Sequence, residues 1–283
     1  MTKKAIYAVI LAACIAGFNG VLIKAMPSLT TGTIGWFRVG VPVLFLLPSL
    51  LYNREVRIKG DRKMLLLATV INAIRLYFYL VAFMYTSIGN AVVLFYVYPL
   101  FVTLIETLVY KSPISKIQVY LMILAFIGIG ITYLNKPFSF ESNDFIGMMA
   151  SLLSAVGYAS FVCIFKRQTT SYNKKQLLFF QNIGGAVLFA PFLFTMDNVA
   201  LPELGIAVFY AALIGLGVFS LFFFGLKYLN PTTATSLMYL EVISAVLLSY
   251  FVLGEQLTWN TYLGGSFILV SSFFISRLNR KLS

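Results

Sequence analysis

Four charged side chains interrupt otherwise apolar runs of this sequence: Arg38, Arg75, Glu106 and Glu241. If those runs lie in lipid, each charge opposes insertion by roughly 2.5–3.5 kcal/mol at the bilayer centre, so such residues tend to be functional. An arginine fork matches a carboxylate by paired hydrogen bonds, which suits Arg38 and Arg75 to holding an anionic group. Glu241 could face a substrate ammonium or carry a coupling proton. Depth favours these roles for Arg75 and Glu241, which fall near mid-run. For Arg38 and Glu106 the favoured account is mutual neutralisation within the bundle or snorkelling toward an interface. Lys24 and Lys227 sit at run ends, where snorkelling suffices.

Tyrosines supply a second layer. Tyr77, Tyr79, Tyr96, Tyr98 and Tyr239 are too deep for all to belong to an interfacial belt. Each offers a flat apolar face and a hydroxyl, fitting a pocket for a partly apolar or cationic metabolite. Packing alone explains any one of them. Tyr239 gains from its nearness to Glu241, although residues two apart on a helix point about 200° apart. Asn19, Asn72, Asn90 and Asn182 are further polar candidates, equally suited to helix-to-helix hydrogen bonds. The candidate binding or coupling set is Arg75, Glu241, Tyr239, Arg38, Tyr79, Tyr96 and Asn90.

Other chemistries lack their residues. Histidine is absent, which removes the usual general base and the commonest metal ligand. Cys14 and Cys163 lie in different apolar runs and read as small hydrophobes. The sequence has neither a G-x-S-x-G turn nor a G-x-x-x-x-G-K-[ST] phosphate loop, and its loops are too short for a catalytic domain. No selectivity ring of a channel is evident. No enzyme activity, cofactor or metal is expected, and none of the catalytic residues an enzyme would need.

The elements that must position these residues follow from composition. Of 283 residues, 60% are hydrophobic and 11% charged, against about 25% charged in soluble domains. The solvent for most of the chain is therefore lipid. Continuous apolar runs of about twenty residues, without strand-like alternation, predict helices rather than a barrel. Ten spans are expected, near 5–25, 31–51, 64–85, 88–110, 116–134, 144–165, 175–195, 203–228, 232–252 and 259–277. The first follows Lys3 and Lys4 as a signal peptide would, but its length and lack of a cleavage site predict a retained helix. All of the 21 lysines and arginines except Lys24, Arg38, Arg75 and Lys136 then fall on one side. This alternation predicts a multi-pass protein with both termini cytoplasmic. It also accounts for the net charge of +12 without nucleic acid.

The halves can be superposed. An offset of 143 residues places Tyr85 on Tyr228, Ala91 on Ala234, Leu94 on Leu237 and Val109 on Val252. Offsets of 144 and 140 place GVPVLF on GGAVLF and Gly17 on Gly157. Five spans is an odd number, so the second half enters the membrane inverted. The fold class expected is an all-α membrane protein of ten transmembrane helices in two inverted five-helix repeats, 1–135 and 136–283. Inverted repeats are a common basis of alternating access in secondary transporters.

The sequence resembles the drug/metabolite transporter superfamily, EamA type. The resemblance spans nearly the whole chain and is clearest in ATSLMYLEVISAVLLSYFVLGEQLTWNTYLGGSFILVSS, through Ala234, Gly254, Glu255, Leu257, Thr258, Gly264, Ile268 and Leu269. Arg38 matches an arginine common in the family's second span. Departures are Val242 in place of a usual proline, which Pro99 keeps in the first half, and KSPIS in place of a Gly-Glu turn. The resemblance implies an EamA fold and ATP-independent movement of a small solute. Family frequency and both signs of intramembrane charge point to export of an amino acid or related metabolite across a bacterial inner membrane. The YLEV segment around Glu241 raises the alternative of uptake or exchange of a nucleoside-like metabolite such as S-adenosylmethionine. The partners expected are a small-molecule substrate, a proton or counter-solute, and the lipid bilayer; nucleic acid is not expected, and monomer and dimer both stay open.

Overall fold

The structure is a computed structural model that describes residues 1–54, 61–86, 88–132, 134, 142–196, 199–254 and 258–281. Every regular element among them is helical, and the helices group into ten spans. The first is Thr2–Ala16 with Phe18–Lys24, the second Thr31–Tyr52, the third Arg62–Tyr85. The fourth joins Ile88–Phe95 to Tyr98–Leu108, and the fifth is Lys116–Thr132. The sixth is Ser142–Gln168, and the seventh is Lys174–Phe189 with the 3-10 turn Ala190–Thr195. The eighth runs from Leu201 to Tyr228. The ninth joins Pro231–Leu237 to Leu240–Leu253, and the tenth is Trp259–Lys281. Eight helical segments are long and apolar enough to cross a membrane, and Lys116–Thr132 is a shorter apolar helix.

Local signals set where helices begin. Thr30, Asp61 and Asn230 each accept a hydrogen bond from the backbone N–H three residues on, and Asn173 with Gln176 forms a reciprocal capping box. These side chains satisfy N–H groups that the first helical turn leaves open. Glycine has a conformational role at Gly254, whose φ of +69° ends the ninth span in the left-handed region.

Packing repeats across the halves. The third span lies on the sixth, as the eighth lies on the first; the fourth lies on the sixth, as the ninth lies on the first; and the third lies on the seventh, as the eighth lies on the second. The second and seventh spans pack together, as do the fourth and ninth and the fifth and tenth. Exchanging the halves maps this set of neighbours onto itself, the signature of a pseudo-two-fold axis.

Sequence periodicity predicts unbroken spans, and the structure departs from that at four places. The first span turns at Gly17, the fourth at Tyr96–Val97 and the ninth at Met238–Tyr239, and Ala211–Val218 of the eighth winds as a π-helix. Both central breaks are made of three-residue turns: Val97 N–H to Leu94 C=O in one, Met238 to Thr235 and Tyr239 to Ser236 in the other. In the fourth span the cause is Pro99, which has no N–H to continue the helix. The ninth has Val242 instead, and hydroxyl bonds precede its break. Thr235 donates to Pro231 O and Thr232 O, and Ser236 to Thr232 O, bonds that compete with the backbone ladder and bend helices.

Glu106 belongs to a structural clamp instead of neutralising an intramembrane arginine. Its carboxylate accepts both arms of Arg167 at 2.7 and 3.2 Å, and Ser112 Oγ donates to it at 3.1 Å. The guanidinium also lies 3.2 Å from the centre of the Tyr110 ring and donates to Cys163 O. Beside it Lys166 Nζ donates to the carbonyls of Leu226, Lys227 and Leu229, capping the C-terminal end of the eighth span. The Glu106 side chain is 4% exposed and that of Arg167 33%. Removing one partner of a buried pair destabilises by about 3–5 kcal/mol, through the charge left unpaired. R167Q strands the buried carboxylate, whereas E106Q leaves an arginine that still reaches solvent. The Tm of detergent-purified R167Q is therefore expected to fall by several degrees, and further than that of E106Q.

Candidate functional site

Arg38, Arg75, Tyr79 and Glu241 converge on one central cavity. About 50 Å³ of it is open to the centres of water-sized molecules, room for roughly four waters at about 10–15 Å³ each. The second, third and ninth spans contribute these four residues. Tyr98, Tyr158 and Asn19 add the fourth, sixth and first spans, and the π-helix of the eighth adds Ile214 and Val218.

Arg75, 5% exposed, is fixed from behind. Its Nε donates to Asn72 Oδ1 at 3.0 Å, and Asn72 Nδ2 donates to Gln181 O of the seventh span at 2.7 Å. The guanidinium carbon lies 4.6 Å from the centre of the Tyr158 ring, a cation–π contact on one face. One arm of the fork is spent on positioning, which leaves the terminal nitrogens on the cavity side. The backbone makes room: a β-carbon on Gly157 would stand 2.6 Å from Arg75 Cβ, so the absence of a side chain there lets the sixth span approach the third.

Arg38 is set in a parallel way. A β-carbon on Gly215 of the π-helix would stand 2.5 Å from Arg38 O, so a second glycine admits the eighth span to the second. Tyr210 lies beside Arg38, and its hydroxyl donates to Asn19 Oδ1 at 2.7 Å. Glu241 is half-buried in the first turn of Leu240–Leu253, where a carboxylate meets the positive end of the helix dipole. Tyr96 and Arg38 both stand close to its carboxylate. Two cations and one anion thus share one space, with a net positive charge to attract an anionic group. Phe95, Phe219, Phe222 and Met238 complete an apolar wall.

The other sequence candidates divide. Tyr98 lines the cavity. Tyr96 reaches it through Glu241, its ring packed 5.9 Å from Phe95 and 6.2 Å from Tyr239, centre to centre. Tyr239 is fully buried behind that layer and does not line the space. Tyr77 is 48% exposed and points away, and Asn182 bonds within its own helix to Leu178 O. Asn90 lies outside the residues whose side chains are described. Tyr158, Tyr210 and the phenylalanines of the eighth span are additions that sequence reasoning missed. Tyr158 and Tyr210 carry the same signal as the tyrosines that were found, a phenol deep in an apolar run. Gly157, already paired with Gly17 by the repeat, marks the neighbourhood of Tyr158.

The pattern of the EamA-like transporter family matches residues 3–134 and 145–277. An uncharacterized transporter of Archaeoglobus fulgidus is 27% identical over 270 residues, covering 93% of this chain and 92% of that protein. A solved crystal structure of a protein superposes with a TM-score of 0.82 over 100% of both chains at 14% identity, a likeness of fold.

The close approach at Gly157 gives a direct test of the site's construction. Gly157→Val must separate the third and sixth spans and displace Arg75. Transport is expected to fall at least tenfold, with a lower Tm, while Tyr77→Phe at the exposed position leaves both within error. Reconstituted uptake and thermal unfolding of the two purified variants check it.

Proposed function

The chain belongs to the EamA-like transporter family, and on that premise we propose that it moves a small zwitterion, an amino acid or related metabolite, through the cavity that Arg38, Arg75 and Glu241 share. It is a multi-pass membrane transporter; the solute, the direction and the coupling are the proposed part. The observation that carries the reading is the convergence of two guanidinium groups and one carboxylate beside two broken helices. A substrate carboxylate fits the forks of Arg75 and Arg38, a substrate ammonium fits Glu241, and the phenylalanine wall takes an apolar side chain. Broken helices near mid-membrane, with helix ends turned to the solute, are a recurrent device of secondary transporters.

The proposed repeats are 1–135 and 136–283, which alternate between two conformations and expose the cavity to one side and then the other. Both termini are assigned to the cytoplasm, in a bacterial inner membrane, because the basic residues gather at that end. The direction is export, driven by a proton on Glu241 or by a counter-solute. A second reading is uptake or exchange of a nucleoside-like metabolite such as S-adenosylmethionine. Its support is the aromatic lining, since Tyr79, Tyr98 and Tyr158 would suit a cationic or flat group. The narrow cavity favours the smaller solute.

Counterflow in proteoliposomes tests the reading, because exchange of labelled for unlabelled solute requires a carrier. A labelled amino acid is expected to accumulate, and R75Q and E241Q to reduce the rate at least tenfold with normal membrane insertion. Counterflow only with S-adenosylmethionine selects the second reading. Counterflow at wild-type rates in both variants removes these charges from the site.

A further inference from the structure

The repeat that carries Gly17 onto Gly157 pairs two segments that are packed in different ways. The first span turns at Gly17, whereas the sixth runs unbroken through Gly157. Beyond the turn, Phe18–Lys24 buries none of its residues. Beyond Gly157, Phe161, Val162, Cys163, Ile164 and Phe165 are all buried. Ala16 and Asn19, on either side of the turn, line the central cavity. The cavity therefore borders a loosely packed segment toward one end of the bundle and a tightly packed one toward the basic end.

The tight packing is aromatic. Tyr158 lines the cavity, and its ring stacks on Phe161, 5.9 Å away centre to centre. Phe161 continues to Phe165 at 4.3 Å, and Phe165 to Phe223 of the eighth span at 5.6 Å. Phe223 in turn lies 6.2 Å from Phe219, which lines the cavity. Phe161 and Phe165 have no exposed surface and Phe223 is 2% exposed, so this column fills the space between the sixth and eighth spans on the basic side of the cavity. One residue past Phe165, Lys166 Nζ donates to the carbonyls of Leu226, Lys227 and Leu229 at 2.6, 3.1 and 2.8 Å. A charged donor makes stronger hydrogen bonds than a neutral one, and these three tie together the two spans that form the column.

We propose that Lys166 is a positioning residue that latches a gate at the basic end. In the state seen here the column of Phe161, Phe165 and Phe223 closes the cavity from that side, and Phe18–Lys24 leaves the other side open. In an inverted-repeat protein each half adopts, in the opposite-facing state, the conformation its partner holds now. The sixth span then turns at Gly157, its end leaves the eighth, and the end of the first span packs in. That movement separates Phe165 from Phe223 and takes Lys166 off its three carbonyls, so the strength of those bonds sets the balance between the two states. The inference rests on the reading of the central cavity as a transport site and adds the residue that holds its closed side.

The test reads both ends without any ligand. In a Cys14→Ser, Cys163→Ala background, a spin-label pair at Ser115→Cys and Thr170→Cys measures the start of the fifth span against the end of the sixth. Its repeat counterpart, Trp259→Cys with Ala25→Cys, measures the start of the tenth against the end of the first; all four positions are exposed. Lys166→Met keeps the length of the side chain and removes its donors. The ratio of opposite-facing to observed populations is expected to rise about tenfold, as loss of one net hydrogen bond from a charged donor allows. The new population carries the two distances exchanged between the ends, in equal fraction at both, and Lys166→Arg, which keeps the donors, restores the wild-type ratio. If Lys166→Met fails to insert, Phe165→Leu loosens the column with the same expectation. Both distances unmoved, or a new distance at the basic end alone, makes Lys166 a helix cap only and overturns the latch. Amino-acid counterflow by the wild type then tells the failures apart: intact counterflow leaves the transport reading standing, and its absence overturns both.

Discussion

Hydrocarbon solvates neither a guanidinium group nor an open peptide bond, and the architecture follows from where this chain keeps such groups. Backbone that departs from the α-helix at membrane depth survives only where protein or an aqueous space covers it. The breaks at Tyr96–Val97 and Met238–Tyr239 meet that condition by facing each other across the centre of the bundle. Arg38, Arg75 and Glu241 meet it in the cavity alongside. Away from these breaks the described spans present large apolar side chains outward.

A division of labour follows. The charges that fasten the bundle, Glu106, Arg167 and Lys166, stand at its basic end and spend their hydrogen bonds on protein partners. The charges at the centre are held from one side only. Asn72 takes the Nε of Arg75, and Tyr210 and Tyr96 stand beside Arg38 and Glu241. Glycines at 157 and 215 bring the facing helices close enough to complete these supports. A preorganised group with unused donors binds more tightly than one that must first be ordered.

Much of this was legible in the sequence. Twenty-residue apolar runs and the sidedness of the lysines yielded the ten spans, because bilayer thickness and insertion act on simple length and charge. Arg75 and Glu241 stood out because a charge at mid-span needs a reason to be there. The repeat carried Tyr96 onto Tyr239 but could not say that Tyr239 would be fully buried and off the cavity, which depends on how the two breaks pack. For Glu106 the sequence left open a partner within the bundle or an interface, and it could not name Arg167, 61 residues away, which is its neighbour only through packing of the fourth and sixth spans. The break in the ninth span carries no proline at the position of Pro99 and so no obvious mark; the hydroxyls of Thr235 and Ser236 beside it read as ordinary helix residues.

The central claim is that both ends of one zwitterion are recognised at once, its carboxylate by the arginines and its ammonium by Glu241. Ligand-induced thermal stabilisation of the purified wild-type protein tests it without altering the chain, because a ligand that binds only the folded state raises Tm with concentration. The comparison is between a set of amino acids and the same set with the carboxylate amidated or the amine acetylated. A rise in Tm with at least one unmodified amino acid, lost on either modification, is the predicted result. Equal stabilisation by the amidated or acetylated form would contradict the account.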